Sequence, residues 1–170
     1  ERMLYNSPLV TRPPEAGRGG GTGVDIARVA RQSGRSGDAV IRDLLGESRM
    51  LELVGSQLQL RLSSGIRSGR ISDQAAAVGR LFHGTSTVRN RTIAFEIAGA
   101  GGAAWAEGDG EPARTGFDYL TRQAACIGGG TTEMARNVIS ERVLGMPRER
   151  SGDRDVPFRD VPRSASSGSR

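Results

Sequence analysis

"IRDLLGESRMLELVGSQLQLRL", residues 41–62, decides the fold class. Its apolar positions Ile41, Leu44, Leu45, Leu51, Val54, Leu58 and Leu62, joined by the small Ser48, recur every three or four residues. That spacing lays one apolar stripe along a helix. Two-residue alternation is nowhere sustained long enough for a strand. Proline placement extends the reading outward. Pro8, Pro13 and Pro14 stand near the start, Pro112 in a loop, and Pro147, Pro157 and Pro162 near the end. Because proline breaks helix interiors, residues 15–111 and 113–146 are the spans open to long helices. The expected class is all-α, an up-and-down helical bundle.

Other helices fall into place around the first. Residues 1–10 read as the end of a helix broken at Pro8, followed by the glycine cluster at 17, 19, 20, 21 and 23. A short helix is predicted over 24–31. A long one starts near Asp73, read as its N-cap, and runs through Ala76, Val78, Leu81, Phe82, Val88 and Ile93 to the glycines at 99–102. After the loop "EGDGEP", a helix is predicted over 115–125 and a last one over 131–144, closed by Gly145 and Pro147. Residues 1–148 thus read as one helical domain. The remainder, 149–170, alternates charges, carries two prolines and ends in serines, which predicts an extended or disordered tail.

Composition bounds the function classes. Val, Ile, Leu and Phe make 35 of the 170 residues and Gly another 25, so little large apolar surface offsets chain entropy and the domain is expected to lean on a neighbour. Net charge is +5 and all 24 basic residues are arginine. Guanidinium groups suit phosphate, but the arginines are spread along the chain beside acidic residues with no interleaved aromatics, which argues against nucleic acid. No run reaches the ~20 apolar residues of a membrane span. "ERMLYNSPLV" lacks a basic region followed by an apolar one, so no signal peptide is expected. The single Cys126 excludes an internal disulfide and agrees with a reducing compartment, so the cytoplasm is the expected location.

"CIGGGTTEMARNVISERVLGMPRE", residues 126–149, is the segment most informative about chemistry. Three consecutive glycines let backbone approach a ligand, and the helix that follows starts with threonines and Glu133. An oxygen or phosphate cradle and a plain glycine connection into a capped helix both fit these residues. The stretch Gly130-Thr131-Thr132-Glu133, then Arg136-Asn137, then "ERVLGMPR" at 141–148 closely resembles the last helix of the acyl-CoA dehydrogenase family. The order and length of the preceding helices are similar to that family's C-terminal bundle over residues 1–148. The family's N-terminal helical domain and middle β-domain are not in this sequence, so the chain alone is expected to be inactive.

The resemblance implies an FAD enzyme that converts an acyl-CoA thioester to its 2,3-enoyl form. A carboxylate takes the α-proton and the β-hydrogen leaves as hydride, while a backbone N–H and a flavin hydroxyl bind the thioester oxygen. Many members carry the base just before the motif glycine, where this chain has Gly129. Others place it in a Glu-Arg pair on the first bundle helix, and this chain opens with Glu1-Arg2. The resemblance therefore implies Glu1 as catalytic base, with Arg2 and Gly129 on the substrate side. It also implies cofactor contacts from Gly99, Gly102, Gly130, Thr131 and Glu133, with helix capping as the alternative for Thr131 and Glu133.

Two departures accompany these matches. Where the family carries Arg-x-x-Phe-Gly this chain reads Ala30, Arg31, Gln32, Ser33, Gly34, and where it carries Gln-x-x-Gly-Gly-x-Gly this chain reads Glu96 to Gly102. A carboxylate at 96 would repel a pyrophosphate. Such losses resemble the actinobacterial acyl-CoA dehydrogenases that pair unlike subunits and act on sterol side-chain thioesters. The implied partners are an acyl-CoA substrate, a second dehydrogenase subunit in a homo- or hetero-oligomer, and an electron-transfer flavoprotein. The competing expectation is a non-catalytic subunit that stabilises or gates an active partner. His83 reads as a satisfied helix histidine, Cys126 as a packing residue, and Trp105 as an anchor of its glycine loop or a partner contact.

Overall fold

The computed structural model of the protein describes residues 25–106, 111–148 and 156–161. Within them six α-helices and three short 3-10 turns follow one another without a strand. The architecture is the expected all-α bundle. Helix α1 spans Ile26–Gln32, where the Asp25 side chain accepts the Arg28 N–H at 2.9 Å as N-cap. Helix α2 spans Ala39–Arg67, capped in the same way by Asp38 on the Val40 N–H. A free first-turn donor taken by a short carboxylate is the usual start of a helix.

Helix α3, Ala76–Ala98, is the central element and runs antiparallel to α2. The Arg89 guanidinium grips both oxygens of Glu47 at 2.6 Å near one end of the pair, and Phe82 lies over Gly55 further along. That bidentate bond holds the Glu47 carboxyl below, and Arg89 above, its ordinary pKa. Ile93 and Ile97 are fully buried on α3 and meet Ile26, Val29 and Ala30 of α1 and Ile41 of α2. The α2 stripe is covered only in part. Ile41, Ser48 and Leu62 are buried, but Val54 is 45% exposed, and Met50, Leu53 and Leu60 on the same helix are exposed too. α3 shields one side of α2 and no other described element covers its outer side.

Asp73 does not cap α3. It stands inside a 3-10 turn, Asp73–Ala75, that leads straight into the helix, with Ser72 at the cap position. At the other end Gly99 adopts φ +59° and ψ −133°, a conformation that side chains disfavour, and its N–H closes on the Phe95 carbonyl. The short α4, Ala100–Ala103, follows.

Helix α5 spans Glu111–Leu120, so it begins four residues before the expected 115 and Pro112 lies in its first turn rather than in a loop. First-turn N–H groups have no intrahelical partner, so proline is tolerated there. α5 packs antiparallel to α3 through stacked Phe95 and Tyr119 rings, 4.0 Å apart, with Arg122 over the outer face of Tyr119. Trp105 packs against Gly116, where a Cβ would collide with the indole, so it anchors the loop before α5.

Residues expected as the end of that helix instead form a 3-10 turn, Arg122–Cys126. Helix α6 covers Thr132–Val138, with Thr131 as N-cap, and widens into a π-turn over Ile139–Val143 before Gly145 at φ +66°. In the tail, Phe158–Asp160 form one 3-10 turn. The expected helix in residues 1–10 lies outside the described residues.

Candidate functional site

The triglycine segment is a turn bound to α3 by one side chain. Gly129 and Gly130 have φ +75° and +101°, values that need glycine. Arg80, in the second turn of α3, donates from Nη2 to the carbonyl of Gly128 at 2.6 Å and to that of Gly130 at 2.8 Å, so one nitrogen bridges the turn across Gly129. One helical turn later stands Gly84. A Cβ there would lie 2.9 Å from Arg80 Nη1, 3.1 Å from Thr132 Cγ2 and 3.2 Å from the Ala125 carbonyl. The missing side chain at 84 is therefore what admits both the guanidinium and the chain entering α6.

Gly129 itself is exposed. Among the described residues the nearest atom to a Cβ placed on it would be Arg80 Nε at 3.9 Å, so no described side chain covers it. Among the described residues the N–H groups of Gly129 and Gly130 donate no hydrogen bond. The turn therefore presents an unengaged N–H on open backbone, which suits an acceptor oxygen.

Thr131 and Glu133 sit on the same turn. The Thr131 hydroxyl accepts the Met134 N–H at 3.2 Å, so it caps α6. Glu133 is exposed; its own backbone N–H, then the hydroxyls of Thr132 and Thr131, hold its carboxyl below the ordinary pKa. Arg136 stands 3.6 Å from it. An ionised, solvent-facing carboxylate accepts hydrogen bonds from hydroxyl or amine donors and repels phosphate. These residues fit the hydroxyl- and amine-bearing parts of a dinucleotide, not its pyrophosphate.

Gly99 and Gly102 lie at the opposite end of α3. Nineteen residues of helix at ~1.5 Å each separate Arg80 from Gly99, roughly 28 Å. Gly102 is buried, with Ala98 and Phe95 against the place its Cβ would take. Beside them the Arg35 guanidinium reaches the Glu96 and Ile97 carbonyls at 3.4 Å, and the Glu96 carboxylate faces Arg89 at 3.6 Å. The structure thus brings Gly129, Gly130, Thr131 and Glu133 together and sets Gly99 and Gly102 apart. Arg31 is exposed and faces Asp25 at 3.8 Å. Glu1 and Arg2 lie outside the described residues.

Sequence reasoning missed Arg80 and Gly84. His83 has its pKa lowered, first by desolvation among its neighbours and then by the Arg80 and Arg91 charges, which favours a neutral ring. Cys126 is a half-buried free thiol. Among the described residues no three His, Cys, Asp or Glu side chains gather as a metal site, and no helix is long and apolar enough to cross a membrane.

Over 134 residues, 75% of the chain, the sequence is 28% identical to the acyl-CoA dehydrogenase IpdE1 of Mycolicibacterium smegmatis. The chain is similar to acyl-CoA dehydrogenases. A further match, 38% identical over 65 residues, is to the acyl-CoA dehydrogenase IpdE1 of Mycobacterium tuberculosis and covers 35% of the chain. The matched regions make up 31% and 15% of those two dehydrogenases, so the chain spans only a part of their length. No protein-family model matches the chain, and no solved structure matches it.

Proposed function

We propose that this chain is the C-terminal bundle of an FAD-dependent acyl-CoA dehydrogenase that oxidises an acyl-CoA thioester between its α and β carbons. The observation that carries the reading is the open Gly129 N–H on a turn fixed by Arg80, at the position where the resemblance to the acyl-CoA dehydrogenase family implies that the thioester oxygen binds. Negative charge grows on that oxygen as the α-proton leaves, and a fixed N–H stabilises it without reorganising. Gly129 also leaves the space that a base at this position would fill. In this reading Glu1 takes the α-proton, and Arg2 keeps the carboxylate charged. The flavin, when bound, accepts the β-hydrogen as hydride. Gly130, Thr131 and Glu133 line the approach of its hydroxyl-bearing portion, and Gly99, at the other end of α3, serves the flavin of another subunit, while the buried Gly102 only packs against Ala98 and Phe95.

Oligomerisation in the proposal draws on the uncovered α2 residues Met50, Leu53, Val54 and Leu60. Surfaces of this kind are covered in assemblies more often than left to water. An electron-transfer flavoprotein and a cytoplasmic setting complete the proposal. To test it, the full-length protein with its partner subunit and FAD is incubated with a panel of acyl-CoA thioesters and an artificial electron acceptor. The reading expects at least one thioester to lose two hydrogens, seen by mass, and fails if all return unchanged.

A further inference from the structure

We infer that Arg80 is a positioning residue for this turn: by bridging the Gly128 and Gly130 carbonyls it aims the Gly129 N–H and fixes the entry into α6. The inference rests on the reading of Gly129 above, but the geometry stands apart from it. A tripeptide with two glycines in left-handed conformations has little intrinsic preference for one course, because glycine visits many. Here two carbonyls point the same way and converge on a single nitrogen. Charge-assisted bonds of this length are about twice as strong as neutral ones. No other described side chain donates to either carbonyl.

The other guanidinium nitrogens sharpen the argument. Among the described residues, Arg80 Nε and Nη1 are buried without a hydrogen-bond partner. The work at the turn is therefore done by Nη2 alone, and one positive nitrogen at the end of a long side chain should suffice. Lysine supplies that; methionine fills similar space without a donor. Gly84 gives a second handle on the same turn, since a methyl there would press on Nη1, Thr132 and the Ala125 carbonyl while leaving the charge in place.

The experiment compares wild type, Arg80→Met, Arg80→Lys and Gly84→Ala in the full-length, FAD-loaded protein with its partner. Backbone amide exchange is read without substrate at Gly128, Met134 and Ala135, whose N–H groups bond to the Ala124 carbonyl, the Thr131 hydroxyl and the Thr131 carbonyl on either side of the bridge, and the rate of flavin reduction is read at saturating thioester. Arg80→Met and Gly84→Ala should exchange ~10-fold or more faster at these amides, with exchange in α2 unchanged. Each should slow reduction by about 10²-fold, the usual cost of a misplaced oxyanion donor, with thioester affinity nearly unaltered. Arg80→Lys should restore both to within ~3-fold.

Exchange unaltered in Arg80→Met overturns the inference. A lysine variant as impaired as the methionine one also overturns it, because the guanidinium would then act by a contact other than this bridge. If the wild type reduces no flavin with any thioester, the dehydrogenase reading fails, and the amide exchange still decides whether Arg80 holds the turn.

Discussion

Glu1→Gln, made in the full-length, flavin-loaded protein, is expected to slow acyl-CoA-dependent flavin reduction by about 10³-fold while the flavin stays bound. A positioned general base is worth ~10²–10⁴-fold. Glutamine keeps the size of the side chain and its hydrogen-bonding reach but cannot accept the α-proton. The effect should fall on the reduction step, since the substitution removes only the proton acceptor. The measurement is stopped-flow absorbance of the flavin at saturating thioester, with bound flavin quantified in parallel. Unchanged reduction in the variant would place the base on a partner subunit and make this bundle a supporting half of that partner's site.

The second large effect is on the fold. Ile93 has no exposed surface and touches the cluster formed by Ile26, Val29, Ala30, Ile41, Ala94 and Ile97. Ile93→Asp puts a carboxylate where no described group can pair with it. The neighbouring cations are committed elsewhere: Arg89 to Glu47 and Glu96, and Arg91 near Asp118 at 3.8 Å. An unpaired buried charge costs several kcal/mol even after it neutralises, against about 5–15 kcal/mol for a whole domain. Circular dichroism should show loss of the cooperative melt, while Ile93→Val should keep it and lose only about 0.5–1.5 kcal/mol. A cooperative melt near that of wild type in the aspartate variant would mean that Ile93 is not in the core.

Legibility from sequence followed the reach of each signal. The three-and-four spacing from Ile41 to Leu62 located α2, because a helix must gather its apolar residues on one side. It could not say that Val54, Leu53 and Met50 would stand uncovered, since periodicity records that a face is apolar and not what lies against it. Pro112 was read as loop because proline breaks helices, whereas its place in the first turn of α5 removes the conflict. The widening of the last helix after Val138, where the Leu144 N–H reaches the Ile139 carbonyl, has no residue signature in this sequence.

The turn at 128–130 was legible from its three glycines and the motif beside them. Arg80 was not. Its role depends on a contact 50 residues away with Gly130, and it is one of 24 arginines spread along the chain. Gly84 was hidden for a related reason: a lone glycine inside a helix reads as a weak spot until the partner that crosses it is known. The paired carbonyls explain the glycines at 129 and 130 better than composition could. They must turn back on one nitrogen and still leave the N–H between them free.

Anaerobic titration of the flavin-loaded, full-length protein and its partner with acyl-CoA thioesters, without any electron acceptor, decides whether this bundle belongs to an acyl-CoA-oxidising flavin site. At least one thioester is expected to bleach the visible flavin band stoichiometrically. A flavin band that stays intact with every thioester, in a protein shown to bind them, would contradict that assignment.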